Sequence, residues 1–299
     1  MPAKKIAILS GGTSSERKIA LLSARTVLNL LKSKFSVCLY DFPRQIPAFL
    51  RNYKKYDIAV PIFHGSGGED GVVQGFLRTL KIPFVFSDTV SQAIGIDKIQ
   101  SKLLARSLKI STPDYILLKK NKPIRYRYPV IVKPIAGGSS LGVSLARTAP
   151  ELKRAIKVAL QYKQAVVVED YIPGDEYSVS VVEYRGKTIA LPVIAIISKK
   201  SFFDYQSKYD PTLAKEICPA SINKTLSQKL QRSALDMHLA LGARHLSRSD
   251  FIVSKNRLYF LEINTIPGLT KNSLIPKSLR AANIDFLELF QGWMEHPTR

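Results

Sequence analysis

Arg248-Ser249-Asp250-Phe251 and Leu261-Glu262-Ile263-Asn264 are the two stretches that decide the fold of the C-terminal part of the chain, and Ile252 to Phe260 separate them. Apolar residues on both sides of a polar centre are typical of two strands joined by a tight loop. Side chains alternate between the two faces of a strand, so Glu262 and Asn264 share one face. The segment therefore predicts a hairpin that carries polar groups on one side.

The length of the loop decides whether Asp250 joins that face. A two-residue Lys255-Asn256 turn would pair Asp250 with Leu261 and send the carboxylates of Asp250 and Glu262 to opposite faces. A three-residue loop, Lys255 to Arg257 with a bulge, would pair Asp250 with Glu262, and asparagine tolerates the left-handed backbone that such a loop needs. We predict the three-residue loop.

Asp250, Glu262 and Asn264 would then form a set of hard oxygen donors among apolar strand residues. Such donors suit a Mg²⁺ ion that also binds phosphate oxygens. Charged strand ends that face solvent are the alternative, and they are favoured for this pattern in isolation. The other motifs of the chain favour the metal site.

The composition is that of a globular protein with two or three modest domains: 299 residues, 45% hydrophobic and 23% charged. No apolar run reaches the roughly eighteen residues that a transmembrane helix requires. The start, Met1 to Ile6, lacks the apolar core of a signal peptide. Cys38 and Cys218 lie far apart, so no disulfide framework is indicated. We expect a cytoplasmic protein without a membrane partner.

The formal net charge of +22 raises the hypothesis of a nucleic-acid partner, because basic proteins gain affinity by neutralising phosphate. The basic residues are spread along the chain, for example at 51–55, 119–122 and 199–200. No RNA-recognition motif, zinc finger or arginine-rich tail is present. A solvated basic surface that attracts anionic substrates such as nucleotides is the preferred interpretation, and a dedicated nucleic-acid partner is not expected.

The N-terminal region has the order strand, glycine turn, helix. Lys5 to Leu9 predicts a buried strand, Ser10 to Ser15 a loop, and the spacing of apolar residues from Ile19 to Leu30 a helix. This order opens a doubly wound α/β domain. Glu16 lies in the first helical turn, where the helix dipole favours a carboxylate, and is either a capping acid or part of a site.

A second strand and helix follow. Ile58 to Phe63 predicts a strand, Val72 to Leu80 a helix, and Pro83 to Ser87 a further strand that closes the first domain. His64 precedes the glycine-rich run Gly65 to Gly71. Glycines at the carboxyl end of a strand let backbone approach a ligand, which favours a site over a structural role for His64.

The central region contains a candidate phosphate-binding flap. Lys98 lies in the first turn of a predicted helix that extends to residue 108. The helix dipole disfavours a lysine in the first turn. Pro129 to Pro134 predicts a buried strand that carries Lys133, and the loop Gly137 to Gly142 leads into the next strand at 143–145. This order of strand, glycine loop and strand differs from that of a Walker loop. The backbone N–H groups of the glycine loop can nevertheless bind phosphate. A plain hairpin is the alternative, and Lys133 favours phosphate binding.

The remainder alternates strands and helices around one long loop. We expect strands at 166–169, 177–184 and 188–197, helices at 150–162 and 224–242, and a helical pair at the C-terminus. From Ser198 to Pro219 the pattern is irregular and rich in aromatic residues. A loop of this length in a compact protein is usually a lid or a binding loop.

Taken together, these motifs resemble those of the ATP-grasp ligases, and among them the D-alanine–D-alanine ligases. The resemblance runs in the family's order from Gly11-Gly12-Thr13-Ser14-Ser15-Glu16 to Leu274 and covers nearly the whole chain. It implies an α/β fold, α+β in the ATP-grasp part, with three domains and an N-terminal doubly wound parallel sheet. The implied domains are residues 1–88, residues 89–175 with the phosphate flap, and residues 176–299 with the metal site and lid.

The resemblance also implies an activity, the ATP-dependent joining of two D-alanines to D-alanyl-D-alanine through a D-alanyl phosphate, for peptidoglycan precursor synthesis. ATP and two Mg²⁺ ions, or Mn²⁺, are the implied cofactors. A homodimer is the implied assembly.

The family's functional residues match individual positions of this chain. Those that would contact ATP are Lys98, Lys133, Ser139, Ser140, Glu169, Ile172, Glu176 and Lys208. Those that would hold the two D-alanines are Glu16, His64, Lys208, Tyr209, Ser273 and Leu274. The metal ligands would be Asp250, Glu262 and Asn264. The residues implied in catalysis are Glu16, His64, Ser139, Tyr209, Arg248 and Gly268, the last two at the tetrahedral intermediate.

Three positions depart from the family's pattern: Asn272, Ser249 and Asp170 stand where histidine, a branched apolar residue and lysine are common. Tyr209 after Lys208 matches the members that form dipeptides, which favours an amine as the second substrate. One alternative is an ATP-grasp ligase that uses D-lactate or D-serine as its second substrate. Another is a nucleotide-binding or nucleic-acid-binding relative without turnover.

Overall fold

The computed structural model describes residues 4–118, 126–138, 140–198 and 214–299, which form a mixed α/β protein. Its strands are β1 (Lys5–Gly11), β2 (Ser36–Phe42), β3 (Ile58–Ile62), β4 (Tyr115–Leu117), β5 (Val130–Pro134), β6 (Ser144–Ala146), β7 (Val166–Asp170), β8 (Asp175–Tyr184), β9 (Lys187–Ala190), β10 (Ile194–Ser198), β11 (Ala214–Ile217), β12 (Leu246–Ser254) and β13 (Arg257–Asn264). Its α-helices are α1 (Arg17–Leu31), α2 (Ile46–Asn52), α3 (Val72–Thr79), α4 (Thr89–Ile96), α5 (Lys98–Ser107), α6 (Ala149–Leu160), α7 (Lys224–Ala240), α8 (Leu274–Ala281) and α9 (Phe286–Glu295).

The N-terminal sheet is parallel, as predicted, and its strands have the order β2-β1-β3. The central strand β1 is buried from Ile6 to Gly11, which explains its continuous apolar sequence. Helix α1 covers the sheet with Ala20, Ala24, Val27 and Leu31, which recur at helical spacing and are fully buried. The loops after β1 and β3 therefore emerge at the same edge of the sheet.

Three features of this region differ from the sequence-based expectation. The edge strand β2 and the short helix α2 have no predicted counterpart, because β2 mixes polar and apolar residues and is only partly buried. The strand predicted at 83–87 is wrong, since only Phe84 forms bridges, parallel to Ala59 and antiparallel to Thr298. The partner Thr298 lies at the other end of the chain, which no local pattern reveals.

The four-stranded sheet has the order β4-β7-β5-β6, with antiparallel neighbours. Helix α6 packs on one face and buries Leu152, Ala155 and Ala159 against the valines of β5 and β7. Lys133 and Glu169 are also buried in this sheet. Apolar packing on the helix side leaves the other face to these charged groups.

The six-stranded sheet is antiparallel, in the order β11-β10-β8-β12-β13, with β9 also on β8. Helices α5 and α7 contribute Ala105, Leu230, Ala234 and Met237 to its core. The single strand predicted at 188–197 is wrong, because Leu191-Pro192-Val193 separates β9 from β10. From Ala190 to Ile194 the chain advances four residues while its partner advances three, from Val181 to Ser178, so the break acts as a bulge.

The β12–β13 hairpin reaches the predicted pairing by a different route. Its turn is the two-residue Lys255-Asn256, with φ of 45° and 64°, and Ser254 pairs with Arg257. The predicted three-residue loop is therefore wrong. Asp250 nevertheless pairs with Glu262, because the register shifts between Asp250 and Phe251 and leaves Leu261 as an extra residue in β13. The bulge, and not the turn, brings the two carboxylates to one face.

The C-terminal helices pack onto the N-terminal sheet. One apolar core joins Ile8 and Val60 of this sheet to Leu279 of α8 and to Phe290 and Trp293 of α9. The indole N–H of Trp293 donates to the Glu183 carbonyl over 2.8 Å. The apolar core thus joins the N-terminal sheet to the C-terminal helices.

The helices of the described ranges include none that is long and apolar enough to cross a lipid bilayer.

Two buried histidines make the folded state sensitive to acid. Burial lowers the pKa of His238 and His245 to about 4, from an ordinary value of 6.5. His245 Nδ1 accepts from the Phe86 N–H at 2.8 Å, and His238 Nδ1 lies 2.8 Å from the Ser247 hydroxyl. Protonation of His245 would therefore remove a backbone hydrogen bond.

We expect each of the two histidines to lower the free energy of unfolding, relative to a variant without it, as the pH drops from about 6.5 towards 4, because the unfolded chain takes up these protons first. The steepest slope is about 1.4 kcal/mol per pH unit for each histidine. Urea denaturation at pH 7.5 and 5 measures it. His238→Asn retains an acceptor near Ser247 and should show a smaller drop than the unmodified chain. An equal drop in both proteins would contradict this assignment.

Candidate active site

Two connected clefts lie where the three sheets meet. The larger, of about 460 Å³, lies between β5 and β7 of the four-stranded sheet and β8, β10, β12 and β13 of the six-stranded sheet. The smaller, of about 360 Å³, is bordered by the start of α1, the loop after β3 and residues 266–274. Gly138, Glu176, Ile196 and Asp250 border both. A molecule in one cleft can therefore reach a molecule in the other.

Lys98 enters the larger cleft from the first residue of α5. Asp97 caps this helix by accepting from the N–H groups of Ile99 and Gln100, which holds Lys98 in place. The Lys98 Nζ donates to the Gly137 carbonyl at 2.6 Å and lies 3.5 Å from Glu262 Oε2. It thereby links the glycine flap to the hairpin.

Glu169 lies between two lysines in the wall of the same cleft. Lys133 Nζ is 2.7 Å from its Oε2, and Lys102 Nζ is 3.2 Å from its Oε1. Burial would raise the pKa of Glu169, but the two ammonium groups outweigh it and lower this pKa below its ordinary value. Lys102 is absent from the predicted site. Its position four residues after Lys98, on the same face of a helix, is the signal that could have indicated it.

The hairpin supplies the acidic end of the larger cleft. Asp250 is held by Ser178, whose hydroxyl donates at 2.6 Å, and by Arg248, whose Nε and Nη2 donate at 2.9 and 2.7 Å. Burial lowers the pKa of Arg248, but the charge and hydrogen bonds of Asp250 raise it by more. The guanidinium therefore stays charged. Glu262 faces the same cleft.

The donor set of the hairpin fits a magnesium ion but not a softer metal. Across the described ranges, no three His, Cys, Asp or Glu residues form a cluster that could hold a metal by themselves. Asp250, Glu262 and Asn264 offer two carboxylates and an amide, all hard oxygen donors. Mg²⁺ typically takes one or two carboxylates and completes its shell with water and phosphate oxygens. The predicted ligands therefore suit this ion if a phosphate is bound beside them.

Glu16 and His64 bring an acidic and a neutral polar group to the lining of the smaller cleft. Glu16 stands before α1 and accepts from the Gly138 N–H at 3.2 Å, so it joins the N-terminal sheet to the flap. Burial lowers the pKa of His64, whose Nε2 lies 3.3 Å from the Ser23 hydroxyl. His64 is therefore neutral at physiological pH.

Glu69 is a second site residue that is absent from the prediction. Its carboxylate accepts from the N–H groups of Gly65 at 3.0 Å and Ile266 at 3.4 Å. Burial, together with the charge of Glu16, raises the pKa of Glu69 to about 8. Glu69 and Asp70 are adjacent acids in a glycine-rich loop, and nothing in that pattern separates a site residue from a surface charge.

The loop before α8 closes the other side of the smaller cleft. The Ser273 hydroxyl accepts from the Thr270 N–H at 3.1 Å and lies 2.7 Å from the Thr270 hydroxyl. A Cβ on Gly268 would stand only 2.9 Å from Ser273 Oγ, so this close approach favours glycine. Gly268, Ser273 and Leu274 border the cleft together with Arg248.

The predicted site residues within the described ranges all border one or both clefts. The larger cleft collects Lys98, Lys133, Ser140, Glu169, Ile172, Glu176, Asp250 and Glu262. The smaller cleft collects Glu16, His64, Glu176, Arg248, Asp250, Asn264, Gly268, Ser273 and Leu274. Ser139, Lys208, Tyr209 and most of the predicted lid lie outside the described residues.

The three departures also fall near the site. Asn272 borders the smaller cleft and Asp170 the larger, whereas Ser249 is buried in β12. Burial, with Asp114 nearby, raises the pKa of Asp170. Asp170 therefore places a negative group where the family resemblance would place a positive one.

Comparisons with known proteins agree on one family. The family model described as "D-ala D-ala ligase C-terminus" matches residues 90–295. A D-alanine–D-alanine ligase of Buchnera aphidicola subsp. Schizaphis graminum is 37% identical in an alignment of 300 positions that covers 96% of each chain.

Solved structures show the same likeness. The D-alanine–D-alanine ligase of Bacillus anthracis complexed with ATP is 32% identical, with a TM-score of 0.84 over 99% of this chain and 97% of that one. The VanG D-Ala:D-Ser ligase of Enterococcus faecalis is 28% identical, with a TM-score of 0.81 over 97% of this chain and 98% of that one. This likeness confirms the predicted ATP-grasp fold. The chain belongs to the D-alanine–D-alanine ligase family.

Proposed function

We propose that the chain is an ATP-dependent ligase that joins two D-alanines to D-alanyl-D-alanine through a D-alanyl phosphate, in peptidoglycan precursor synthesis. The observation that carries this proposal is the meeting of the two clefts at Gly138 and Asp250. A cleft that combines Lys98 and Lys133 with carboxylates suited to Mg²⁺, beside a cleft with buried acids, suits a metal-bound nucleotide next to a small zwitterion.

The larger cleft, of about 460 Å³, would hold ATP, with which a relative of known structure is complexed. Lys98 and Lys133 would face the phosphates, and the flap at Gly137 to Ser140 would cover them with backbone N–H groups. Glu169 and Ile172 would border adenine, and Glu176 the ribose. The predicted role of Lys208 in ATP binding belongs to the same proposal.

Asp250, Glu262 and Asn264 would hold two Mg²⁺ ions, or Mn²⁺. When bound, these ions would neutralise phosphate charge during phosphoryl transfer to a carboxylate. The chain's own part is to position the ligands. The bulge at Leu261 sets two carboxylates opposite each other, and Ser178 and Arg248 fix the rotamer of Asp250.

The smaller cleft would hold the D-alanines. Glu16, hydrogen-bonded with Ser139 and Tyr209, would pair with the ammonium of the first D-alanine. The neutral His64 would donate a hydrogen bond towards the carboxylate of the same D-alanine. Lys208 and Ser273 would hold the carboxylate of the second beside Leu274. Because Glu16 already contacts the Gly138 N–H, the first substrate would sit against the flap.

Arg248 and the Gly268 N–H would stabilise the tetrahedral intermediate that forms when the second amine attacks. Both border the smaller cleft, and Arg248 stays charged beside Asp250. Preorganised donors in a site without bulk water are effective at such a developing oxyanion. Cover by residues of the predicted lid would protect the acyl phosphate from hydrolysis.

A cytoplasmic homodimer with the domains 1–88, 89–175 and 176–299 completes the proposal. The VanG relative, named a D-Ala:D-Ser ligase, makes a different second substrate the specific alternative. Tyr209 favours D-alanine over D-lactate or D-serine as the second substrate.

We expect ADP release with D-alanine alone, and little additional release when D-lactate or D-serine is added. A panel of D- and L-amino acids with the purified protein, with dipeptide detected by mass spectrometry, measures this. Preferential formation of a mixed product would support the alternative. Absence of any amino-acid-dependent ADP release, with steeply salt-dependent binding to random DNA, would indicate a non-catalytic relative.

Glu262→Gln should reduce turnover by at least about a hundredfold, because an amide is a weaker Mg²⁺ ligand than a carboxylate. Thermal denaturation should show a folded protein. The matched control is Glu295→Gln, which changes an exposed acid of α9 and should retain full activity. Near-normal turnover in Glu262→Gln would exclude the metal-binding role.

Arg248→Lys should lower kcat about a hundredfold or more, since an ammonium cannot hold Asp250 with two N–H groups and also face the intermediate. Steady-state kinetics with saturating ATP and D-alanine measures kcat. Arg232→Lys, at an exposed arginine paired with Asp236, is the control and should leave kcat unchanged. An equal effect of both substitutions would count against the assignment.

A further inference from the structure

Lys102 is a fully buried lysine that none of the steps above uses. It exposes 0% of its surface, and its ammonium lies 3.2 Å from Glu169 Oε1. The other oxygen, Oε2, lies 2.7 Å from the ammonium of Lys133. Lys133 and Glu169 border the larger cleft, whereas Lys102 lies behind its wall. One carboxylate thus separates a cation at the cleft from a cation behind it.

The balance of charge differs between this cluster and its neighbours. Among the described residues, ion pairs join Lys98 to Glu262 and Arg248 to Asp250. The Lys102–Glu169–Lys133 cluster has two cations to one carboxylate and carries a net charge of about +1 when both lysines are protonated. That excess lies beside the cleft proposed for the polyanionic nucleotide.

Lys102 remains charged at neutral pH in spite of its burial. Burial lowers the pKa of Lys102, the Glu169 carboxylate raises it, and the result is about 8. The contact with Glu169 is an ion pair without hydrogen-bond alignment, so its effect on Glu169 is mainly one of charge.

Helix α5 couples the two halves of the larger cleft. Lys98 and Lys102 lie one turn apart on its buried face. Lys98 reaches Glu262 in the six-stranded sheet, and Lys102 reaches Glu169 in the four-stranded sheet. The helix therefore fixes a lysine against an acid on each side of the cleft.

We propose that Lys102 is a positioning residue for nucleotide binding, which neutralises Glu169 from behind the wall and leaves the charge of Lys133 available to phosphate. The inference rests on the proposed ATP-dependent function. Without Lys102, Glu169 would bind Lys133 more strongly, and the remaining pair would carry no net charge. Lys102 itself touches neither the nucleotide nor the reacting atoms.

The test is the affinity of Lys102→Met for the non-hydrolysable analogue AMPPNP with Mg²⁺, measured by calorimetry. We expect it to fall on the order of tenfold, about 1.4 kcal/mol. Adenosine, which has no phosphate, should bind equally to both proteins. Lys153→Met, at an exposed lysine of α6, is the matched control and should bind AMPPNP normally.

Adding Glu169→Gln to Lys102→Met provides a rescue of phosphate binding, because the double variant leaves Lys133 charged and released from a carboxylate. Glu169 is also proposed to border adenine, so the double variant is judged by the ratio of its AMPPNP affinity to its adenosine affinity. This ratio should return to within about threefold of the ratio for the unmodified chain, roughly 0.7 kcal/mol. The double variant also lacks the unbalanced buried acid, so it serves alone if Lys102→Met does not fold.

Three results would overturn the inference: normal AMPPNP binding by Lys102→Met, equal weakening of AMPPNP and adenosine binding by Lys102→Met, or a double variant whose ratio of AMPPNP to adenosine affinity is at least tenfold below that of the unmodified chain. Failure of the unmodified chain to bind AMPPNP would instead refute the proposed function.

Discussion

The bulged pairing of β12 with β13 is the constraint on which the rest of the site depends. Leu261 is the extra residue of the bulge in β13. Because it has no partner in β12, Asp250 lies opposite Glu262. A shift of one residue in a strand moves every later side chain to the other face. Without the bulge, the two carboxylates would face opposite sides, and Lys98 and Arg248 could not both meet their acids in one cleft.

Charge pairing then organises the interior around that hairpin. A buried charge is costly unless a partner of opposite sign accompanies it, so each buried acid of the larger cleft has a lysine or arginine beside it. The partners come from different elements, α5, β5 and β12, and the pairs therefore bind these elements to each other. The same groups that stabilise the folded cleft leave positive charge where phosphate is proposed to bind.

Much of the site could be predicted because its residues follow elements with clear patterns. Lys133 ends a run of valine and isoleucine, and His64 ends another, so both are expected at strand ends beside glycines. Lys102 and Glu69 could not be assigned in the same way, since a lysine in a helix and an acid in a loop are usually exposed. In the folded chain Lys102 is buried beside Glu169, and Glu69 is buried beside the Ile266 N–H. Both partners are distant in the sequence.

The sequence by itself determined much of the order of the elements, their apolar faces and the motifs that resemble a ligase family, and it led to the pairing of Asp250 with Glu262 only through a three-residue loop that does not form. Tertiary structure decided how that pairing arises, by a bulge at Leu261 with a two-residue turn, and why Phe84 meets Thr298 instead of forming a strand. It also decided which charges are buried together. The physical reason is that alternation and helical spacing are local properties, whereas bulges, chain-end pairing and buried ion pairs depend on partners that only the folded chain brings close.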